Sequence, residues 1–110
     1  MRTIRRTEAF EEFYNSVEEN VREKIDYALT LIAQIKVVST KFIKKLGGTD
    51  FYEMRVSVNK EYRIIIFSID KENFIEAKEI LLLNGFMKKT IKDYKPQIKR
   101  AEAIIKRLSE

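Results

Sequence analysis

The feature that most constrains the fold is the stretch of residues 51–90, which predicts three successive strands. In residues 52–58 apolar and polar side chains alternate, which is the period of a strand with one buried and one exposed face. A second run, rich in β-branched residues, follows at 62–69. The third run, 80–86, is apolar on both faces and therefore typical of a strand covered on both sides. Together the three runs predict an antiparallel meander.

The segment Asn59-Lys60-Glu61 predicts a tight hairpin between the first two strands, because Asn tolerates the left-handed conformation of such turns. With a three-residue loop, Ser57 pairs with Arg63. Side chains directly opposite share a face, so Glu53, Arg55 and Arg63 would then project together, away from the apolar side chains of both strands. A two-residue loop would separate them, since a slip of one residue turns a whole strand over.

Helices are predicted on both sides of this meander. An edge strand at residues 2–6 is followed by Thr7, the predicted N-cap of a short helix. Ser16 and Glu19 form a predicted capping box ahead of a long amphipathic helix, whose apolar positions are 17, 21, 25, 28, 29 and 32. A short helix is expected around residues 42–46, ended by one of the glycines that follow. Pro96 suits the first turn of a terminal helix.

This order of elements predicts an α+β fold. We expect a small antiparallel, mixed-edge sheet of three or four strands, with the N-terminal helices packed on one face and a C-terminal helix after the meander. The opposite face of the sheet would then be free for chemistry. The length of 110 residues fits a single domain spanning 1–110.

The composition excludes several kinds of chemistry. The chain has no cysteine and no histidine, which removes disulfides, thiolate metal sites and the usual general base. No apolar run is long enough for a membrane span and no signal peptide is evident, so a cytoplasmic location is expected. The net charge of +5 favours an anionic partner such as nucleic acid.

The candidate site is a concentration of cationic and polar side chains on the predicted free face. Guanidinium groups suit phosphate, because each presents a planar fork of donors and stays protonated. The alternative is that the arginines form ordinary surface ion pairs and that the lysines are a solvated strand end. The candidate residues are Glu53, Arg55, Arg63, Lys88, Lys89, Thr90, Lys92 and Tyr94, with Lys44 and Lys45 extending the positive surface.

Several motifs, in this order and spacing, resemble the RelE/ParE toxin superfamily. They are Lys45-Leu46, Phe51-Tyr52-Glu53-Met54-Arg55, Tyr62-Arg63-Ile64, Leu83-Asn84-Gly85-Phe86-Met87-Lys88-Lys89-Thr90, and Ala101 in the terminal helix. The stretch that begins Leu83-Asn84-Gly85 is most similar to the phage-related HigB branch. The resemblance spans most of the chain and implies a RelE-like fold.

The resemblance also implies an activity. Such a protein is the toxin of a bacterial type II toxin–antitoxin pair, an endoribonuclease that cuts mRNA in the ribosomal A site. The 2′-hydroxyl attacks the adjacent phosphate without a metal or other cofactor and leaves a 2′,3′-cyclic phosphate. The implied partners are the 70S ribosome with its mRNA and an antitoxin, typically of the helix-turn-helix type. An antitoxin would act either by blocking the basic face or by binding elsewhere.

The resemblance assigns roles position by position. Arg55 and Arg63 would orient the scissile phosphate and stabilise its charge. Lys88 or Lys89 would assist at the leaving oxygen, and Tyr94 matches a tyrosine used for base stacking or proton transfer, with a spacing that differs by one residue. RNA contacts would come from Lys44, Lys45, Thr90 and Lys92.

Two questions stay open at this stage. Glu53 either takes the proton of the 2′-hydroxyl or orients the two arginines by salt bridges. The general acid is open among Lys88, Lys89 and Tyr94.

Alternative functions are a ParE-like inhibitor of DNA gyrase without nuclease activity and an inactive relic that only binds an antitoxin. Because Arg63 is expected on an exposed sheet face, its replacement by Ala should lower cleavage by orders of magnitude at little cost in stability.

Overall fold

A computed structural model describes all residues, 1–110, and shows a five-stranded mixed sheet with three α-helices. The strand order in the sheet is β1-β5-β4-β3-β2. The elements are β1 (Thr3–Arg6), α1 (Glu8–Ser16), α2 (Glu19–Gln34), β2 (Ile43–Lys45), β3 (Phe51–Val58), β4 (Lys60–Ser68), β5 (Glu79–Lys88), a 3₁₀ turn (Ile91–Asp93) and α3 (Tyr94–Leu108). The predicted α+β class is confirmed, as is the edge strand at the N-terminus, which pairs with β5 in parallel.

The strand count and one helix were wrong. Residues 42–46 do not form a helix: they include β2, the edge strand, in which Ile43 pairs with Met54 and Lys44 with Glu53. Gly48 has a φ of 75° in the turn from β2 to β3, so the left-handed glycine ends a strand connection instead of a helix. Pairing with β3 buries Ile43, which an exposed single-turn helix would not achieve.

The first N-cap is confirmed, while the predicted capping box is wrong. The Thr7 hydroxyl accepts a hydrogen bond from the Phe10 backbone N–H at 3.1 Å, as expected of an N-cap. Ser16 instead belongs to the last turn of α1, where its hydroxyl donates to the Phe13 carbonyl at 2.7 Å. Only two residues separate α1 from α2, and α2 begins at Glu19 without a side-chain cap.

The hairpin between β3 and β4 is tighter than predicted but groups the same side chains. Asn59 alone separates the strands, at a φ of 62°, and Arg55 pairs directly with Arg63. This register is shifted by two residues from the expected pairing of Ser57 with Arg63. Because side chains alternate with a period of two, an even shift keeps every side chain on its face. The prediction that Glu53, Arg55 and Arg63 share a face is therefore confirmed.

Both faces of the sheet carry a hydrophobic core. Helices α1 and α2 pack on one face, where Phe10, Ile25, Met54, Ile64 and Ile66 are fully buried. The expectation of a second face free for chemistry was wrong, because α3 packs on that face over a smaller cluster. This cluster consists of Leu46, Phe51, Ile65, Leu83, Phe86 and Ala101. On this face, only the part of the sheet beside α3 is left uncovered.

Strand β5 is covered on both faces, as its apolar sequence predicted. It lies between β1 and β4, and its register with β4 shifts between Ile64 and Ile66. Gly85 allows α1 to approach closely, since a β-carbon there would lie 2.3 Å from Phe13 Cδ2. No helix of the chain has the length and apolar composition needed to cross a membrane.

Candidate functional site

Glu53 is the centre of the candidate site. It lies in the middle of β3 and is only 3% exposed. Its Oε1 accepts a hydrogen bond from the Tyr94 hydroxyl at 2.8 Å and from Arg55 Nε at 3.1 Å, and forms an ion pair with Arg63 Nε at 3.0 Å. Its Oε2 has no hydrogen-bond partner in the chain. This oxygen is also not fully buried, so a ligand can reach it. One carboxylate oxygen thus anchors two guanidinium groups while the other remains available.

Arg63 is held from several directions. Its Nε donates to the Tyr94 hydroxyl at 3.1 Å, and its Nη1 donates to the Tyr62 carbonyl at 2.9 Å and to Glu61 Oε1 at 3.2 Å. Burial opposes the charged form, but the hydrogen bond to Tyr94 and the nearby carboxylates outweigh it and raise the pKa of Arg63. The remaining nitrogen, Nη2, has no partner in the chain. Arg63 is therefore a permanently charged, pre-oriented donor.

Arg55 is the more accessible of the two arginines. Its side chain is 34% exposed, and only Nε is engaged, by Glu53. Both η nitrogens are free of protein partners, so they can donate to an anion that arrives from solvent. Arg55 and Arg63 are directly opposite each other on neighbouring strands, which brings two positive charges to one side of the sheet.

Tyr94 closes the site from the start of α3. The preceding 3₁₀ turn is capped by Thr90, whose side chain accepts from Lys92 N, while Asp93 accepts from the backbone of Lys89 and Thr90. The Tyr94 ring packs edge-on against Phe86 at 5.5 Å. Burial and the hydrogen bond to Glu53 raise the pKa of Tyr94, so its hydroxyl stays protonated at neutral pH.

The rim of the site contains a carboxylate that the sequence did not single out. Glu61 is half exposed and directly opposite Ser57, whose hydroxyl donates to Glu61 Oε2 at 2.7 Å. On the other side Glu61 pairs in register with Lys88 of β5. The sequence contained a signal for Glu61, because it is two residues before Arg63 and would share its face if both belonged to one strand. It was missed because the predicted hairpin loop included Glu61.

The structure brings together some of the predicted residues and not others. Glu53, Arg55, Arg63 and Tyr94 are in direct contact, and Lys88 Nζ lies 5.7 Å from the centre of the Tyr94 ring. Lys44 shares the face of Glu53, its cross-strand partner. The structure does not bring Lys45 to this face: it pairs with Tyr52 and its Nζ lies over the Tyr52 ring. Lys89 and Lys92 are exposed without side-chain contacts to the cluster, and Thr90 serves as a cap.

The charges of the site define the ligand that it suits. No group of three or more histidine, cysteine, aspartate and glutamate side chains is arranged to hold a metal ion. The contacts on offer are instead free guanidinium N–H groups and a lysine. A phosphate group, with its negative oxygens, is the complementary ligand.

Three solved structures similar to this chain are of the E. coli toxin RelE. E. coli RelE in the intact RelBE toxin–antitoxin complex matches with a TM-score of 0.62 at 16% identity, over 82% of this chain and all of that chain. Isolated E. coli RelE matches with a TM-score of 0.60 at 15% identity, over 91% and 98%. A free double arginine-to-alanine variant of E. coli RelE gives 0.64 at 16%, over 90% and 96%. The chain therefore has the RelE fold.

The family follows from the sequence match. Residues 12–106 match the family described as phage-derived protein Gp49-like, and the chain belongs to that family. The expected membership of the RelE/ParE superfamily, in a phage-related branch, is confirmed. No curated protein matches the chain.

Proposed function

We propose that this chain is the toxin of a toxin–antitoxin pair and that it cleaves ribosome-bound mRNA at the cluster around Glu53. The observation that carries the proposal is that one buried carboxylate anchors two guanidinium groups that still have free donors for a ligand, namely both η nitrogens of Arg55 and Nη2 of Arg63. The likeness to E. coli RelE, a toxin found in complex with its antitoxin, supports the same role.

The free donors suit the charge that develops during cleavage. The 2′-oxygen of the RNA attacks the neighbouring phosphorus while the bond from phosphorus to the 5′-oxygen breaks. The η nitrogens of Arg55 and Nη2 of Arg63 donate to the non-bridging oxygens, where negative charge accumulates. The products are a 2′,3′-cyclic phosphate and a free 5′-hydroxyl. The fixed guanidinium charges supply the stabilisation that a metal supplies in other nucleases.

Two protons must move in this reaction. Oε2 of Glu53 accepts the proton of the 2′-hydroxyl, while Oε1 keeps both arginines in place, so one residue fills both roles considered from sequence. The guanidinium groups beside the phosphate supply most of the rate enhancement by electrostatic stabilisation. Lys88, beside the Tyr94 ring, gives a proton to the departing 5′-oxygen; Lys89, which lies past the end of β5, is less well placed.

The proposed activity defines the partners. The substrate is mRNA on the 70S ribosome, which places the protein in the cytoplasm. A proteinaceous antitoxin would hold the toxin inactive, and the RelBE complex supports an antitoxin as a partner. The helix-turn-helix type of this antitoxin is part of the proposal. Lys44, on the face of Glu53, extends the RNA surface toward the sheet edge.

The test is primer extension on a reporter mRNA with and without ribosomes, using wild type, Arg55→Ala and Arg5→Ala. We expect cuts only with ribosomes, a loss of about 10²–10³-fold in Arg55→Ala, and wild-type cleavage in Arg5→Ala. Arg5 is the matched control because it removes the same charge from the exposed edge strand, where it pairs with Glu79. A well-folded wild-type protein that makes no cuts would refute the nuclease function. A supercoiling assay would then test inhibition of gyrase.

A further inference from the structure

Glu61 and Ser57 form a second hold on Arg63, on the solvent side of the site. The Ser57 hydroxyl fixes Glu61 Oε2 at 2.7 Å, and Glu61 Oε1 accepts from Arg63 Nη1 at 3.2 Å. The two residues are direct partners in the hairpin, so the closing of the turn at Asn59 brings them together. The hydrogen bond from Ser57 lowers the pKa of Glu61, which therefore stays ionised at neutral pH.

This hold decides which donors Arg63 can offer. Its Nε is engaged by Tyr94 and Glu53, and its Nη1 by the Tyr62 carbonyl and Glu61. Only Nη2 remains for a ligand. Without Glu61, Nη1 would keep one neutral acceptor and could also turn toward a phosphate, so that Arg63 would grip the substrate with two nitrogens.

Binding of the substrate phosphate by two nitrogens of Arg63 does not by itself accelerate the reaction. Binding that is equal in the substrate and in the transition state lowers the half-saturating concentration without raising the maximum rate. A rigid donor aimed where charge develops raises the maximum rate. Glu61 also places a negative charge near the phosphate, which weakens substrate binding. Its two effects on binding and on rate are therefore opposite in sign.

We infer that Glu61, fixed by Ser57, is a positioning residue that restricts Arg63 to a single free donor. In this way it raises the maximum rate of cleavage and weakens the binding of the substrate. The inference rests on the proposed function, since it concerns how Arg63 meets the scissile phosphate. It assigns a role to two residues at the hairpin tip that do not touch Glu53.

The test is single-turnover cleavage of ribosome-bound mRNA by Glu61→Gln, Ser57→Ala and the double variant. Glu61→Gln keeps the size of the side chain and removes its charge, so we expect a maximum rate about tenfold lower together with a lower half-saturating toxin concentration. Ser57→Ala should shift both quantities in the same directions by less. The double variant should match Glu61→Gln, because Ser57 acts only through Glu61.

The matched control is Glu23→Gln, which removes the same charge from the exposed side of α2, on the opposite face of the sheet. It should leave both quantities unchanged, and all variants should unfold at the wild-type temperature. An unchanged maximum rate in Glu61→Gln would overturn the inference, as would a rate loss accompanied by weaker binding. A wild-type protein that does not cleave would instead refute the nuclease function itself.

Discussion

Arg63→Ala should destabilise the fold, contrary to the small effect expected from the sequence. The Arg63 side chain is 5% exposed and the Glu53 side chain 4%. Removing one partner of a buried ion pair costs about 3–5 kcal/mol, because the other charge is left without compensation. Arg55 and Tyr94 still contact Glu53 Oε1, so the lower end, about 3 kcal/mol, is expected. That is a large fraction of the roughly 5–15 kcal/mol that stabilises a domain.

The assay is urea unfolding at pH 7, followed by circular dichroism, with thermal unfolding in parallel. A loss of about 3 kcal/mol corresponds to a fall in Tm of roughly 10–15 °C for a chain of this size. Arg55→Ala is the matched control. It also removes an arginine from Glu53, but its side chain is 34% exposed and Glu53 retains Arg63, so it should cost below about 1 kcal/mol.

A double variant tests whether the unpaired Glu53 carboxylate causes the lower stability of Arg63→Ala. If the penalty comes from the unpaired carboxylate, Glu53→Gln introduced into Arg63→Ala should recover part of the lost free energy of unfolding, because no buried charge then remains unpaired. An Arg63→Ala protein within about 0.5 kcal/mol of wild type would refute the argument from burial. A double variant that is less stable than Arg63→Ala would refute the argument from the unpaired charge.

Three further predictions concern the stability contributions of Tyr94, Gly85 and Asp70. Tyr94→Phe should cost about 1 kcal/mol of unfolding free energy at pH 7, measured in urea. The raised pKa of Tyr94 means that its contribution is complete below pH 10.0, the ordinary tyrosine value, and is lost as pH rises through the higher folded pKa, so the variant should approach wild type in alkali. Gly85→Ala should lower the free energy of unfolding by about 1–3 kcal/mol through the clash with Phe13, whereas Gly47→Ala, with open space at its β-carbon, should unfold like wild type. Backbone hydrogen bonds from the start of β5 lower the pKa of Asp70, so its stabilising contribution, present above about pH 4, should be lost as the solution is acidified. In an Asp70→Ala protein the free energy of unfolding, measured in urea, should fall less steeply than in wild type as the pH is lowered. An equally steep fall would contradict the assignment.

The alternation of side chains made the site residues predictable. Glu53 and Arg55 are two residues apart on β3, so they had to share a face. Any hairpin register that differs from the predicted one by an even number of residues adds Arg63 to that face. The loop length itself was wrong by two residues. The prediction survived because the face depends only on whether the shift is even.

Contacts between distant segments could not be predicted. Tyr94 was already a candidate from the resemblance, but the contact of its hydroxyl with Glu53 Oε1, across 41 residues of chain, was not predicted. The burial of Arg63 was missed for the same reason, since it depends on α3 crossing the face that was expected to be free. A helix stripe such as Ile98, Ala101 and Ile105 predicts that a helix is buried on one side but not which surface covers it.

The sequence by itself determined the class of fold, the strands of the meander and the face shared by the two arginines and Glu53. It did so because hydrophobic period and turn chemistry are local properties. Only the tertiary structure decided that β2 completes the sheet, that α3 shelters the carboxylate, and that Glu61 contacts Arg63 while Lys45 lies over the Tyr52 ring. Those outcomes depend on which elements bury each other, and burial is set by the whole chain.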